Sequence, residues 1–253
     1  MTGFAVFAGK ELREILRTWR IWVLPSIVLF FAVTGPLLAR FTPQIVGALV
    51  GNQLNGLKIP TPTYVDAYVQ WIKNLSQIVL IAVIIVYGSL VSGEIRSGTA
   101  VLVLTKPLSR TAFVIAKAAV HSLFLVCVVV AGALLTWALT WLIFGRAPAA
   151  PLWSATGAFL VLGLVFVALM TLLSVLIGSA AGAAGAGLGG YVVLSITAIW
   201  KPLGTYSPAA LTTQPGSLAA GKDVTALWPI LTSLVLVPIL VVLAGQILRR
   251  RDL

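Results

Sequence analysis

Residues 153–200 read WSATGAFLVLGLVFVALMTLLSVLIGSAAGAAGAGLGGYVVLSITAIW, 48 consecutive positions without an Asp, Glu, Lys or Arg. As a single helix this run would extend about 72 Å at 1.5 Å per residue, more than twice the hydrocarbon thickness of a bilayer. It must therefore double back. The weakest helix-forming stretch within it is Gly178-Ser179-Ala180-Ala181-Gly182, because glycine and serine disfavour a helix interior. The predicted arrangement is a hairpin of two membrane spans, at about 153–178 and 183–200.

Four more apolar runs surround the hairpin, at about 21–39, 75–93, 113–144 and 226–248. A membrane helix needs about 20 mostly apolar residues. Pro25 and Pro36 lie inside the first run, and membrane helices tolerate such kinks. The run 113–144 exceeds one crossing, which predicts tilt or protrusion. Composition agrees: 60% of the 253 residues belong to the AVILMFWYC set and 9% are charged, against about 25% charged in a soluble domain. One soluble core cannot hide that much apolar surface. The predicted fold class is therefore an all-α integral membrane protein. Six transmembrane helices occupy residues 21–253, and residues 1–20 form a separate segment. A single cysteine, Cys127, and a single histidine, His121, exclude a disulfide framework and multi-histidine zinc motifs.

The basic residues orient the spans. One side collects Lys10, Arg13, Arg17, Arg20, Arg96, Lys106, Arg110, Lys117, Arg249, Arg250 and Arg251; the other collects Arg40, Lys58, Lys73, Arg146, Lys201 and Lys222. Eleven against six places both termini in the cytoplasm. The net charge of +11 is thereby accounted for by topology and anionic lipid. Without a basic face interleaved with exposed aromatics, no nucleic-acid partner is expected.

Residues 1–20 lack the short apolar core and cleavage site of a signal peptide. Phe4, Phe7, Leu12, Ile15, Leu16 and Trp19 recur at helical spacing among Lys10, Glu11, Arg13, Glu14, Arg17 and Arg20. That pattern predicts an amphipathic helix in the inner interface. Residues 40–74, with Pro43, Pro60 and Pro62, are expected to form an outer segment with a small cap. Residues 203–225 are expected to form an outer loop with a re-entrant turn at Ser207-Pro208-Ala209.

Between the second and third spans the chain reads EIRSGTAVLVLTKPLSR, residues 94–110. Gly98 punctuates it, Val101, Leu102 and Leu104 form a short apolar face, and Pro107 stops any helix begun before it. Ser109 is placed to cap the third span. By composition alone this is a solvated loop obeying the basic-residue rule; the alternative reading is a short docking helix that a soluble partner grips.

Glu94-x-Arg96-Ser97-Gly98-Thr99, followed by Leu104-Thr105-Lys106-Pro107-Leu108-Ser109-Arg110, resembles the E-x-x-x-G-T…L…P-[LV]-S-R signature of ABC-2 type transporter permeases. It lies between the second and third helices, where that family carries it. Six helices, a basic amphipathic first helix and a Ser-Pro loop before the last span extend the likeness over the chain. The resemblance implies that Glu94, Arg96, Ser97, Gly98, Thr99, Lys106, Pro107, Leu108, Ser109 and Arg110 belong to a cytoplasmic coupling helix. That helix would insert into a separate ATP-binding subunit, against which residues 1–20 lie as a connecting helix. It further implies two copies of the ATP-binding subunit carrying ATP and Mg, no cofactor in this chain, and a second, identical or related permease subunit. The substrate expected for an uncharged path is hydrophobic or amphipathic. The host is expected to be a plasma (inner) membrane.

Other motifs yield less. Gly185, Gly187 and Gly190 satisfy G-x-G-x-x-G, but a dinucleotide fold needs a preceding strand and an acid about 20 residues later. The next acid is Asp223. Gly182, Gly185 and Gly189 are instead expected to let helices pack closely. No P-loop is present, so the chain is not expected to be an ATPase itself. His121 is expected to be a hydrogen-bonded packing residue. All six acids fall outside the expected spans, which counts against an ion-coupled carrier or an intramembrane hydrolase. A carrier or enzyme, and a permease-like scaffold for assembly, are the competing readings.

Overall fold

The computed structural model describes residues 2–50, 61–99 and 109–250. Among the described residues the chain is helical, with no strand. Helix α1 covers Thr2–Arg17 and α2 Arg20–Val50. The second span is built from α3 (Tyr64–Asn74), a π-helical turn (Leu75–Val79), α4 (Leu80–Tyr87) and α5 (Ser92–Arg96). Then come α6 (Arg110–Phe144), α7 (Ala149–Leu176) and α8 (Ala180–Thr197). A short run of α9 (Lys201–Tyr206), a 3-10 turn (Pro208–Thr212) and α10 (Gln214–Ala219) leads to α11 (Leu227–Arg250). Six helices are long and apolar enough to cross a membrane: Arg20–Val46, Tyr64–Arg96, Arg110–Phe144, Ala149–Leu176, Ala180–Thr197 and Leu227–Arg250. The chain is a multi-pass membrane protein.

The uncharged run breaks at Ile177–Ser179, where Ser179 Oγ accepts the Gly182 amide at 3.1 Å and starts α8. Such a side-chain acceptor satisfies one of the amides left open at a helix start. Among the described residues, parts of both segments expected outside the spans are helical. Helix α2 continues past Ala39 to Val50, and the second span begins at Tyr64, not Leu75. Asp66 closes the start of α3 by accepting from the Thr63 amide at 2.7 Å. Tyr68, Trp71 and Leu75 then fall on one face and are fully buried. The hydropathy of 64–74 was too low to mark a span because Asp66, Gln70 and Lys73 alternate with that aromatic face. Likewise the middle of the 203–225 segment packs into the bundle, burying Ala209, Ala210, Leu211 and Ala219, while Gly221–Asp223 stay exposed.

Pro36 deprives the Ala32 carbonyl of its helical donor. Thr136 of α6 takes that place, its hydroxyl donating to the Ala32 carbonyl at 3.5 Å. The π turn likewise leaves a carbonyl available: Tyr191 of α8 donates to the Ser76 carbonyl at 3.3 Å. At the core, the Trp71 indole donates to Thr156 Oγ1 at 3.2 Å. Gly132 makes room for it, since a Cβ there would stand 2.6 Å from the ring and 2.6 Å from Val28.

The glycines expected to pack helices do not do so within this chain. Gly185 and Gly189 have no neighbour within 4 Å of a built Cβ, and Gly182 would meet only its own turn at Ser179 and Ile177. The register is offset: Gly187 is the buried one, and a Cβ there would crowd Met170 and lie 2.9 Å from Ile84. Helix α8 turns Gly187 to the bundle, and its spacing leaves Gly182, Gly185 and Gly189 facing outward. Gly187→Ile is expected to destabilise the chain by about 1–3 kcal/mol through overpacking. Gly185→Ile should change stability by less than about 0.5 kcal/mol, as for an exposed site. Thermal unfolding in detergent separates the two; equal shifts would refute the register.

Candidate functional site

One end of the bundle gathers α1, α5 and the start of α6. Helix α1 lays Phe7, Glu11 and Ile15, one residue per turn, against the bundle; all three are buried. Phe7 meets Phe113 of α6 at 5.0 Å between ring centroids. The apolar stripe expected to face lipid is therefore divided. Phe7 and Ile15 face protein, whereas Leu12, Leu16 and Trp19 are exposed.

Glu11 sits in the middle of the packed face and is paired. Its Oε2 accepts from Lys117 Nζ of α6 at 2.8 Å, and both side chains are only 1% exposed. Lys117 also reaches Glu94 Oε1 at 3.1 Å. Lys10, half exposed, bridges Glu14 at 2.6 Å, Glu94 at 2.6 Å and Glu11 at 3.0 Å. Arg20 approaches Glu14 at 3.9 Å. Three cations thus balance three carboxylates. The carboxylate oxygens of Glu11, Glu14 and Glu94 lie within 4.8 Å of one another, a spacing suited to a metal ion. The Lys10 ammonium bridges all three, and with Lys117 and Arg20 the cluster is already neutral, so a divalent ion would have to displace a paired cation.

Such a cluster is costly to assemble and more costly to break. Desolvating ions takes several kcal/mol each, repaid only when every charge finds a partner. Burial of the Lys10 ammonium works toward a lower pKa, but hydrogen bonds to Glu14 and Glu94 and the Glu11 charge outweigh it and hold it well above the usual lysine range. Burial of Glu14 works upward, but Lys10, Lys117 and Arg20 prevail and hold it below the usual carboxylate range. The Glu14 contribution to stability is therefore complete above its unfolded pKa and is lost as pH falls through the lowered folded value. The Lys10 contribution is complete below the unfolded lysine pKa and disappears only as pH rises through the raised one.

His121, one turn beyond Lys117, places Nε2 4.0 Å from Glu11 Oε2. Its ring meets Tyr87 edge-on at 5.0 Å. Neither ring nitrogen has a hydrogen-bond partner among the described residues, so the expected hydrogen-bonded packing role holds for the packing alone.

Of the residues expected in a docking segment, Glu94 turns inward and is buried. Arg96, Ser97, Gly98 and Thr99 are exposed and form a compact turn. The Glu94 carbonyl accepts from Ser97 Oγ at 3.2 Å and Thr99 Oγ1 at 3.3 Å. Gly98 adopts a left-handed φ of 72°, the conformation in which glycine ends a helix without strain. At the other end of α5, Ser174 of α7 accepts from the Val91 and Ser92 amides at 2.9 and 3.0 Å. Ser109 caps α6 by accepting from the Ala112 amide at 3.1 Å. Arg110 donates to the Leu248 carbonyl at 3.1 Å, a cation at the negative end of α11. Lys106, Pro107 and Leu108 lie outside the described residues.

Sequence reading missed Glu11 and Lys117, although a signal existed. Lys117 is a lone charge seven residues into a 35-residue apolar helix, with His121 four positions on. Glu11 interrupts the i, i+4, i+8 apolar face of α1. Only the fold brings residues 11, 94 and 117 together.

These features define a six-span membrane protein with its first helix clamped by ion pairs to one end of the bundle. The chain belongs to the DUF2705 family, described as a protein of unknown function, whose model matches residues 53–253. No curated protein matches the chain.

Proposed function

We propose that this chain is the permease subunit of an ABC-2 type exporter, moving a hydrophobic or amphipathic substrate with ATP hydrolysed by a separate subunit. The observation that carries the reading is the Glu94–Arg110 signature together with its setting. The Arg96–Thr99 turn projects from the bundle end that also holds α1 and the capped start of α6. A soluble partner gripping that turn would push on three elements at once. In this reading both termini are cytoplasmic, consistent with eleven basic residues against six. ATP and Mg bind the two partner subunits, and this chain has no catalytic residue or cofactor of its own. The outward glycines Gly182, Gly185 and Gly189 of α8 would serve a second permease subunit, because small residues let membrane helices approach. The host is the plasma (inner) membrane.

A secondary carrier gains something from the buried Lys117–Glu11 pair, since such sites often carry ions. Yet Lys117 stands only about 10 Å along α6 from its start, at 1.5 Å per residue, and its charge is already balanced.

Isolation of the tagged chain in mild detergent is expected to bring down an ATP-binding subunit. In a Cys127→Ser background, Lys222→Cys should react with a membrane-impermeant maleimide on intact cells and Ser97→Cys should not. The opposite labelling pattern would overturn the orientation, and isolation without any ATPase would overturn the exporter.

A further inference from the structure

We infer that Glu11 and Lys117 are positioning residues for the exposed Arg96–Thr99 turn, which they hold in place through Glu94. The inference rests on the coupling role proposed above for that turn.

Among the described residues, the turn's own side-chain hydrogen bonds are local. The hydroxyls of Ser97 and Thr99 bond to each other at 2.8 Å and to the Glu94 carbonyl. Nothing in that set reaches the bundle. Glu94 does: its Oε1 takes both Lys10 at 2.6 Å and Lys117 at 3.1 Å. Lys10 is half exposed and long, so alone it would be a loose tether. Lys117 is fully enclosed on α6, and Glu11 fixes its ammonium from α1 at 2.8 Å. Glu11 therefore sets where Lys117 points, and Lys117 sets where Glu94 sits.

One residue thus faces two ways. The Glu94 side chain belongs to the buried cluster, and its backbone carbonyl shapes the exposed turn. A displacement of the turn is transmitted to α1 and α6 through directional ionic contacts as well as through the apolar packing of Val91 and Ile95 beside Phe7 and Phe113. This also gives a reason for charge at these positions. An apolar pair of similar volume would be as stable or more so, but would have no directional bond to Glu94.

The test uses the full chain in lipid nanodiscs, with any ATPase subunit that accompanies it. Nitroxide labels go on Arg13→Cys of α1 and Arg96→Cys of the turn, both exposed, with Cys127→Ser. Pulsed electron resonance should give a narrow α1-to-turn distance distribution in this parent. Glu11→Gln and Glu94→Gln should each broaden it while helix content stays unchanged. The double variant Glu11→Gln with Glu94→Gln should be no broader than either single one, because both act through the Lys117–Glu94 contact, an outcome that independent losses of packing would not produce. Nucleotide turnover of the co-isolated ATPase should fall roughly 3- to 30-fold in Glu11→Gln and no further in the double variant. If Glu11→Gln leaves the distribution as narrow as in the parent, the inference is wrong. If Glu11→Gln loses helix content, Glu94→Gln decides, and an unchanged width there is equally fatal. A broadened distance in chain that never brings down an ATPase would uphold the mechanical link and defeat the exporter reading instead.

Discussion

Lys117→Met is expected to lower the free energy of unfolding by about 3–5 kcal/mol, the cost of leaving one member of a buried ion pair without its partner. The pair is fully enclosed, with Glu11 and Lys117 both 1% exposed and 2.8 Å apart. Methionine fills nearly the same volume, so the loss reflects charge and not a cavity. Glu11 would keep Lys10 at 3.0 Å, which sets the effect toward the lower end of that range. The double variant Lys117→Met with Glu11→Leu should recover most of the loss, because both ions are then gone and the remaining Lys10, Arg20, Glu14 and Glu94 still balance. Unfolding midpoints in detergent for the two single variants and the double decide the matter. A double variant as unstable as the single one would mean that volume, not charge, governs the site.

Trp71→Ala should cost a similar amount, about 3–5 kcal/mol, through the large void it leaves. Trp71 is fully buried and, beside Val28, packs onto the bare backbone of Gly132. Trp71→Phe is expected to cost about 1 kcal/mol for the lost hydrogen bond, plus a smaller packing loss, because the Thr156 hydroxyl then has no indole to accept from. If Trp71→Ala and Trp71→Phe shifted the unfolding midpoint equally, the ring's packing would contribute nothing.

The six spans were legible because their hydropathy is extreme and their breaks are chemically marked. Ser179 and Gly182, which close the hairpin turn, are polar or flexible residues in an otherwise uncharged run. The start of the second span was illegible from hydropathy, because Trp71 and Tyr68 share a turn with Lys73 and Gln70 and only helical phase separates them. The face of α8 that packs was misjudged for a related reason. Five glycines lie within nine residues, 182–190, at spacings that serve either face, and periodicity alone cannot say whether Gly185 or Gly187 turns inward. Glu94 was read from its motif as a residue of the surface. Its burial follows from Lys10 and Lys117, which are 84 and 23 positions away, a relation that no local pattern encodes.

The π turn at Leu75–Val79 has a bearing on insertions and deletions. It contains one residue beyond what an α-helical turn requires, and each residue rotates a helix by about 100°. Removing a single residue there would restore regular α-helical phase and swing everything downstream. Val83, Ile84 and Tyr87 would leave the interior, and Glu94 would be carried round the axis away from Lys10 and Lys117. A one-codon deletion far from the ion pairs would therefore undo them, whereas the same loss in the exposed stretch Gly221–Asp223 would fall between elements and shift no helical phase. In a family alignment, the length of this short interval should be more strictly kept than its side chains.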